Sequence, residues 1–170
     1  MVSKTTRELV WQKKLDVARF DRYYDKLADR YQKRNMALRG ALLVASVTGG
    51  GTLAAVIGQD VPDALEIAAA VGVAILLVVD SQGGYAYKAA VFASVQRECE
   101  RLDDRFRILW AEMQAGRLSE DVTLDRHTTL VDQLANARER TAGTHVSTDD
   151  KLNEQCMAAA QEALSNRHAT

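Results

Sequence analysis

Histidine and cysteine side chains are the first candidates for chemistry in this chain of 170 residues. His127, His145 and His168 are far apart, and none belongs to an HxxxH or HExxH pattern that would hold zinc on one helix face. Cys99 and Cys156 lack CxxC spacing, so they predict neither a metal knuckle nor a redox pair. A GxSxG nucleophile turn is also absent. We therefore predict that the chain is not an enzyme and uses no metal ion or cofactor.

The glycine run in VTGGGTLAAVIGQDVPD, residues 47–63, could form a phosphate-binding loop. A loop of the Walker A type needs Lys and then Ser or Thr after its last glycine, whereas Gly51 is followed by Thr52 and Leu53. The GxGxxG spacing of a dinucleotide-binding turn is missing as well. A flexible linker would be polar, but both flanks of these glycines are apolar. The glycines therefore belong to a longer apolar segment.

Two apolar segments of membrane-spanning length follow one another. No charged residue lies within residues 40–59, which as a helix would be roughly 30 Å long, the thickness of a hydrocarbon core. A short connection with the only proline, Pro62, leads to a second segment at about 66–87. We predict a two-span transmembrane helical hairpin over residues 39–88. The alternative is a buried helical hairpin in a soluble bundle.

The distribution of charge supports the membrane interpretation. Residues 1–39 contain 11 Lys and Arg against 5 Asp and Glu, whereas residues 40–88 contain one Lys and four acids. Because basic residues stay on the cytoplasmic side of a membrane, both termini are predicted to be cytoplasmic. Tyr85 and Tyr87 would anchor the inner interface. This topology explains the basic helix without a nucleic-acid partner.

Small residues recur every four positions in both segments. They are Ala41, Ala45 and Gly49, then Ser46, Gly50, Ala54 and Gly58, and in the second segment Ala64, Ala68 and Gly72. Small side chains let helices approach closely in lipid, so these residues predict helix–helix packing in a homo-oligomer.

Asp80 is the only charged residue between positions 67 and 87. An acid at the centre of a bilayer costs roughly 2.5–3.5 kcal/mol on insertion scales. In one interpretation, the span shifts so that Asp80 reaches the cytoplasmic interface. In the other, Asp80 side chains line a pore in an oligomer and favour cations. The sequence leaves both open.

The remaining segments are predicted to be cytoplasmic helices. Residues 1–38 form an amphipathic, aromatic and basic helix, residues 89–117 a heptad helix, and residues 118–170 a helical tail. The apolar stripes of the first two predict a stalk, within one chain or between subunits. The stripe residues are Phe20, Tyr24, Leu27, Tyr31, Phe92, Val95, Cys99, Leu102, Phe106 and Leu109. The fold class is therefore all-α.

This arrangement resembles the SLATT family of bacterial two-helix transmembrane effectors, which are associated with nucleotide-second-messenger and SLOG sensor systems. The resemblance covers roughly residues 5–120, with Trp11, Tyr23 and Arg34 in the helix before the hairpin. It implies an inner-membrane effector in antiphage defence that forms or gates a pore and depolarises the membrane. A separate sensor protein or nucleotide signal would be the trigger, and membrane lipid and further copies of the chain would be partners.

Two other classes of function stay open at this point. One is a holin-like or structural membrane scaffold that needs no trigger. The other is a soluble helical-bundle adaptor with the apolar hairpin as its core. Localisation to membranes and dependence on a trigger would separate these classes from the effector.

Overall fold

The computed structural model describes residues 2–49 and 63–168, and this part of the chain is helical without strands, as predicted. Five α-helices follow one another within these described ranges: α1, Lys4–Gly49; α2, Asp63–Gly83; α3, Tyr85–Gln114; α4, Glu120–Glu139; and α5, Asp150–His168. A 3₁₀ turn, Ala142–Thr144, lies between α4 and α5. Within the described ranges, no helix combines the length and the apolar character that crossing a membrane requires.

The helices divide into two compact units. The first, here called the bundle, comprises residues 1–28 and 90–170, and the second, here called the hairpin unit, comprises residues 29–89. In the bundle, Trp11 packs on Trp110 at 5.2 Å between ring centroids, and Tyr24 stacks on Phe92 at 6.1 Å. Because residue numbers rise along α1 while those of its contacts fall along α3, the two helices are antiparallel.

Helix α4 packs antiparallel to α3 in the same way. Arg126 pairs with Glu112 at 2.6 Å, and Arg105 donates a hydrogen bond to Gln133 at 2.8 Å. Ser119 caps the beginning of this helix. Its backbone is extended, and its side chain accepts a hydrogen bond from a backbone N–H in the first turn. Its apolar face, Leu130, Leu134 and Ala137, is buried.

Helix α5 closes the bundle against α1. Ala160 and Leu164 form a buried cluster with Ala18, and the start of α5 lies beside Tyr23. Asp149 caps this helix, because its side chain accepts a hydrogen bond from the Leu152 backbone N–H at 3.0 Å. The bundle therefore has up-down-up-down topology, with α1 and α4 parallel to each other and antiparallel to α3 and α5.

The hairpin unit contains the second part of α1, helix α2 and the first turn of α3. Helix α2 ends at Gly83, and Gly84 adopts a left-handed backbone with φ of 53° before α3 begins at Tyr85. Glycine takes this conformation without the steric penalty of a Cβ atom. The segment predicted to span the membrane continuously over residues 66–87 is thus interrupted near its end. The glycine pair Gly83-Gly84 was the feature of the sequence that could have predicted this interruption.

Candidate functional site

Large apolar side chains are exposed on the hairpin unit. On α1, Leu43 is 67% exposed, and on α2, Ile75 is 58% exposed and Leu77 is 54% exposed. Val71, Val78 and Val79 are exposed as well, so the exposed apolar residues of α2 point in several directions around the helix. A helix that is apolar on all sides needs an apolar environment, either protein or lipid.

The predicted packing residues are only partly within the described structure. Gly50, Ala54 and Gly58 lie outside the described residues. Ser46, Gly49, Ala64 and Ala68 lie on α1 and α2, but only their helical backbone is described. Gly72 is described fully, and a Cβ atom at this position would have no neighbour within 4 Å. Gly72 therefore has no close neighbour among the residues that the structure describes.

Asp80, the predicted pore-lining residue, lies one turn before the end of α2 and is half-buried. Its backbone carbonyl accepts a hydrogen bond from the Gly84 N–H at 3.3 Å. Its carboxylate forms no hydrogen bond or ion pair with the described side chains, those of residues 2–44 and 71–165. A carboxylate without a partner is free to interact with cations or water.

Two aromatic rings pack together in the hairpin unit where α1 meets the start of α3, a place here called the base of the unit. Tyr31 on α1 stacks on Tyr85 at the start of α3, with 6.2 Å between ring centroids. A methyl group on Gly83 would approach the Tyr85 ring to 2.5 Å, so glycine at this position makes room for the ring. Tyr31 is buried, whereas Tyr87 is 58% exposed.

The stripe residues predicted to form a stalk are buried within a single chain. In α3, all seven buried residues, Phe92, Val95, Cys99, Leu102, Phe106, Leu109 and Met113, follow the three-and-four spacing. On α1, Phe20, Tyr24, Leu27 and Tyr31 are also buried. Three-and-four spacing keeps side chains on one helix face, which here packs against the neighbouring helices.

Polar contacts between distant segments close the bundle. Glu120 accepts hydrogen bonds from the Ser3 backbone N–H at 2.6 Å, from the Ser3 hydroxyl at 2.7 Å and from the Thr6 hydroxyl. These hydrogen bonds lower the pKa of the Glu120 carboxyl, and the bond from Thr6 has a larger effect than either of those from Ser3. They tie the beginning of α1 to the beginning of α4. Periodicity could not reveal them, because the partners are more than 110 positions apart.

Neither cysteine is in a reactive environment. Burial raises the pKa of the Cys99 thiol to about 12, with smaller contributions from Asp21 and Glu98. Burial is also the main cause of the raised pKa of Cys156. Because the thiolate is the nucleophilic form, both thiols are inert in the folded bundle.

The histidines do not come together. His127 packs edge-on against Phe106 at 6.2 Å, and its pKa is lowered by burial and then by the nearby charge of Lys13. His145 follows the 3₁₀ turn with a left-handed backbone, and His168 is the last residue of α5. Within the described ranges, no three His, Cys, Asp or Glu side chains are arranged to hold a metal ion.

The two units therefore differ in the surroundings of their apolar side chains. The bundle buries most of them against its own helices, although Leu9 and Ile108 are exposed, whereas the described part of the hairpin unit exposes most of them and buries Tyr31 and Leu38. The chain matches no protein-family model, no curated protein and no solved structure.

Proposed function

We propose that the chain is a membrane protein whose hairpin unit inserts as two spans and whose bundle remains in the cytoplasm. The observation that carries this proposal is the exposed apolar surface of α2 and of the adjoining part of α1. Exposed apolar side chains are costly in water, at about 25 cal/mol per Å², and are stabilised in lipid. Tyr85, Tyr87 and Lys88 follow this surface in the order expected at a cytoplasmic interface.

The hairpin units of several copies associate and form or gate a pore. Support comes from the lack of any described residue within 4 Å of a Cβ atom at Gly72, and from the small residues that share its four-residue spacing. Asp80 lines the pore and favours cations, because its carboxylate has no partner among the described residues. Opening of the pore depolarises the membrane of the bacterial host during phage infection.

The bundle transmits a signal from a separate sensor protein or nucleotide system to the hairpin unit. This step, like the role in antiphage defence, is supported by the resemblance to SLATT effectors. The chain acts without catalysing a reaction, and its mechanism consists of assembly and a change in ion permeability.

The proposal is tested by a dye-based measurement of membrane potential in bacteria that express the chain, after fractionation of the cells. We expect the chain in the membrane fraction and depolarisation when the sensor system is active. Asp80→Asn should reduce the cation selectivity of the current, whereas Asp104→Asn, which removes an exposed acid paired with Arg107 in the bundle, should leave it unchanged.

Each contrary result selects another function. Depolarisation without any trigger would identify a holin-like protein, and membrane residence without depolarisation would identify a scaffold. Recovery of the chain from the cytosolic fraction without detergent would identify a soluble adaptor.

A further inference from the structure

Two cationic side chains converge on one aromatic ring at the base of the hairpin unit. The guanidinium carbon of Arg34 lies 5.7 Å and the ammonium nitrogen of Lys88 lies 5.8 Å from the centroid of the Tyr31 ring. Arg34 belongs to α1 and Lys88 to α3, so packing between the helices places both charges beside the same ring. The stacking of Tyr31 on Tyr85 holds the two helices in this register.

No carboxylate in the described part of the chain neutralises these two charges. Neither Arg34 nor Lys88 forms a salt bridge with any side chain that the structure describes, those of residues 2–44 and 71–165. Lys33, in contrast, pairs with Asp29 at 2.6 Å. The electron-rich face of Tyr31 attracts both cations but carries no net charge. An anion bound beside this ring would be attracted by both charges.

We propose that Arg34 and Lys88 form a binding site for the phosphate headgroup of an anionic phospholipid. The inference rests on the proposed function, which places residues 40–59 and 66–87 in the bilayer and hence Arg34 and Lys88 at the level of the headgroups. The planar guanidinium can bind two phosphate oxygens at once, and the ammonium group adds a compact charge.

Exposed side chains at the same level along the helices as the cations favour a lipid over a free phosphate ion. Met36 is 55% exposed two residues after Arg34, and Tyr87 is 58% exposed next to Lys88. An acyl chain or glycerol backbone would cover these side chains, whereas inorganic phosphate would leave them in water. Tyrosine is also enriched at the headgroup level of membranes.

The test is native mass spectrometry of the full chain in detergent, titrated with phosphatidylglycerol or phosphatidylcholine. We expect the wild-type chain to prefer phosphatidylglycerol. Arg34→Gln combined with Lys88→Gln should weaken phosphatidylglycerol binding by about fivefold for each charge removed and leave phosphatidylcholine binding unchanged. Lys33→Gln is the matched control and should retain the preference, because Lys33 is already paired with Asp29.

Two results would overturn the site: equal binding of both lipids by the wild-type chain, or full phosphatidylglycerol binding by the double variant with unchanged circular dichroism. Displacement of phosphatidylglycerol by inorganic phosphate at equal concentration would show a free-anion site instead. A chain that fractionates with membranes but lacks lipid preference contradicts this inference alone. A chain recovered from the cytosol without detergent contradicts the proposed function as well.

Discussion

The hydroxyl oxygen of Tyr23, on α1, accepts a hydrogen bond from the backbone N–H of Asp149 at 3.1 Å. This N–H lies immediately before α5, and the Asp149 side chain caps the same helix. Tyr23 is buried, so the bond is shielded from competing water. The Tyr23 side chain thus fixes the start of α5 to α1. The Asp149 side chain stabilises the first turn of α5 itself.

Tyr23→Phe should lower the free energy of unfolding by about 0.5–1.5 kcal/mol, since it leaves a polar group near the cap without this acceptor. The matched control is Tyr87→Phe, which removes a hydroxyl from an exposed ring and should have little effect. Urea unfolding followed by tryptophan fluorescence reports on the bundle, which contains Trp11 and Trp110. Equal midpoints for the two variants would show that the Tyr23 hydrogen bond does not stabilise α5.

Glu120 should make bundle stability depend on pH in the acidic range. The pKa of its carboxyl is lowered in the folded chain by the hydrogen bonds from Thr6 and Ser3. The stabilisation is therefore complete above the pKa of the unfolded chain, about 4.3, and is lost as the pH falls through the lower pKa of the folded chain. Glu120→Gln should reduce the difference between unfolding midpoints at neutral and acidic pH.

The control for this experiment is Glu154→Gln, at an exposed position on α5. It should retain the pH dependence of the wild-type chain. An unchanged pH profile in Glu120→Gln would mean that the contacts of Ser3 and Thr6 do not discriminate between the two protonation states.

Asp21→Asn should stabilise the bundle at neutral pH. Burial raises the pKa of the Asp21 carboxyl, and repulsion from Glu100 and Asp103 adds to the shift, although a hydrogen bond from Gln96 at 3.0 Å opposes it. Because the folded pKa is above the unfolded one, the ionised carboxylate destabilises the fold at neutral pH, and this penalty disappears as the pH falls below the unfolded pKa.

An asparagine at position 21 removes the charge while its carbonyl oxygen can still accept from Gln96. We expect a gain of about 0.5 kcal/mol at pH 7, kept small because solvent screens a half-exposed group, and no gain near pH 3. The measurement is urea unfolding at both pH values. A loss of stability at pH 7 would show that the hydrogen bond from Gln96 and the attraction to Arg22 together outweigh burial and repulsion.

Gly72→Leu tests whether this position lies at a contact between copies of the chain. No described residue lies within 4 Å of a Cβ atom at this position, so the leucine should not clash with the described part of its own chain. If the small residues form a contact between copies, the leucine should lower the oligomer mass in detergent by preventing close approach of the helices. Val71→Leu, at an exposed neighbouring position, is the control. Identical oligomer mass for the wild-type chain and Gly72→Leu would remove Gly72 from the assembly surface.

The all-helical fold followed from periodicity, because three-and-four spacing in a sequence corresponds directly to one face of a helix. The stripe from Phe92 to Leu109 coincides with the buried face of α3. The docking of α5 could not be predicted in this way. Its buried residues include Cys156 and Ala160, whose small side chains give little amphipathic contrast to the helix.

The candidate sites depend on packing between helices that are distant in sequence. Asp80 was identifiable because a lone charge stands out in an apolar run. The convergence of Arg34 and Lys88 on Tyr31 was not, because it is set by the register between α1 and α3. The hydrogen bonds that Ser3 donates to Glu120 could not be predicted for the same reason.

The bundle is assembled from two stretches of chain with residues 29–89 between them, and this has a consequence for biosynthesis. The ribosome releases residues 1–28 first, and the helices that bury Val17 and Tyr24 are made only after the intervening segment. At about 5–20 residues per second, the wait is on the order of several seconds. During this interval the apolar face of the first helix has no partner from its own chain. The hairpin unit therefore emerges before the bundle can close, and nascent-chain factors that shelter apolar surface have their greatest effect in that interval.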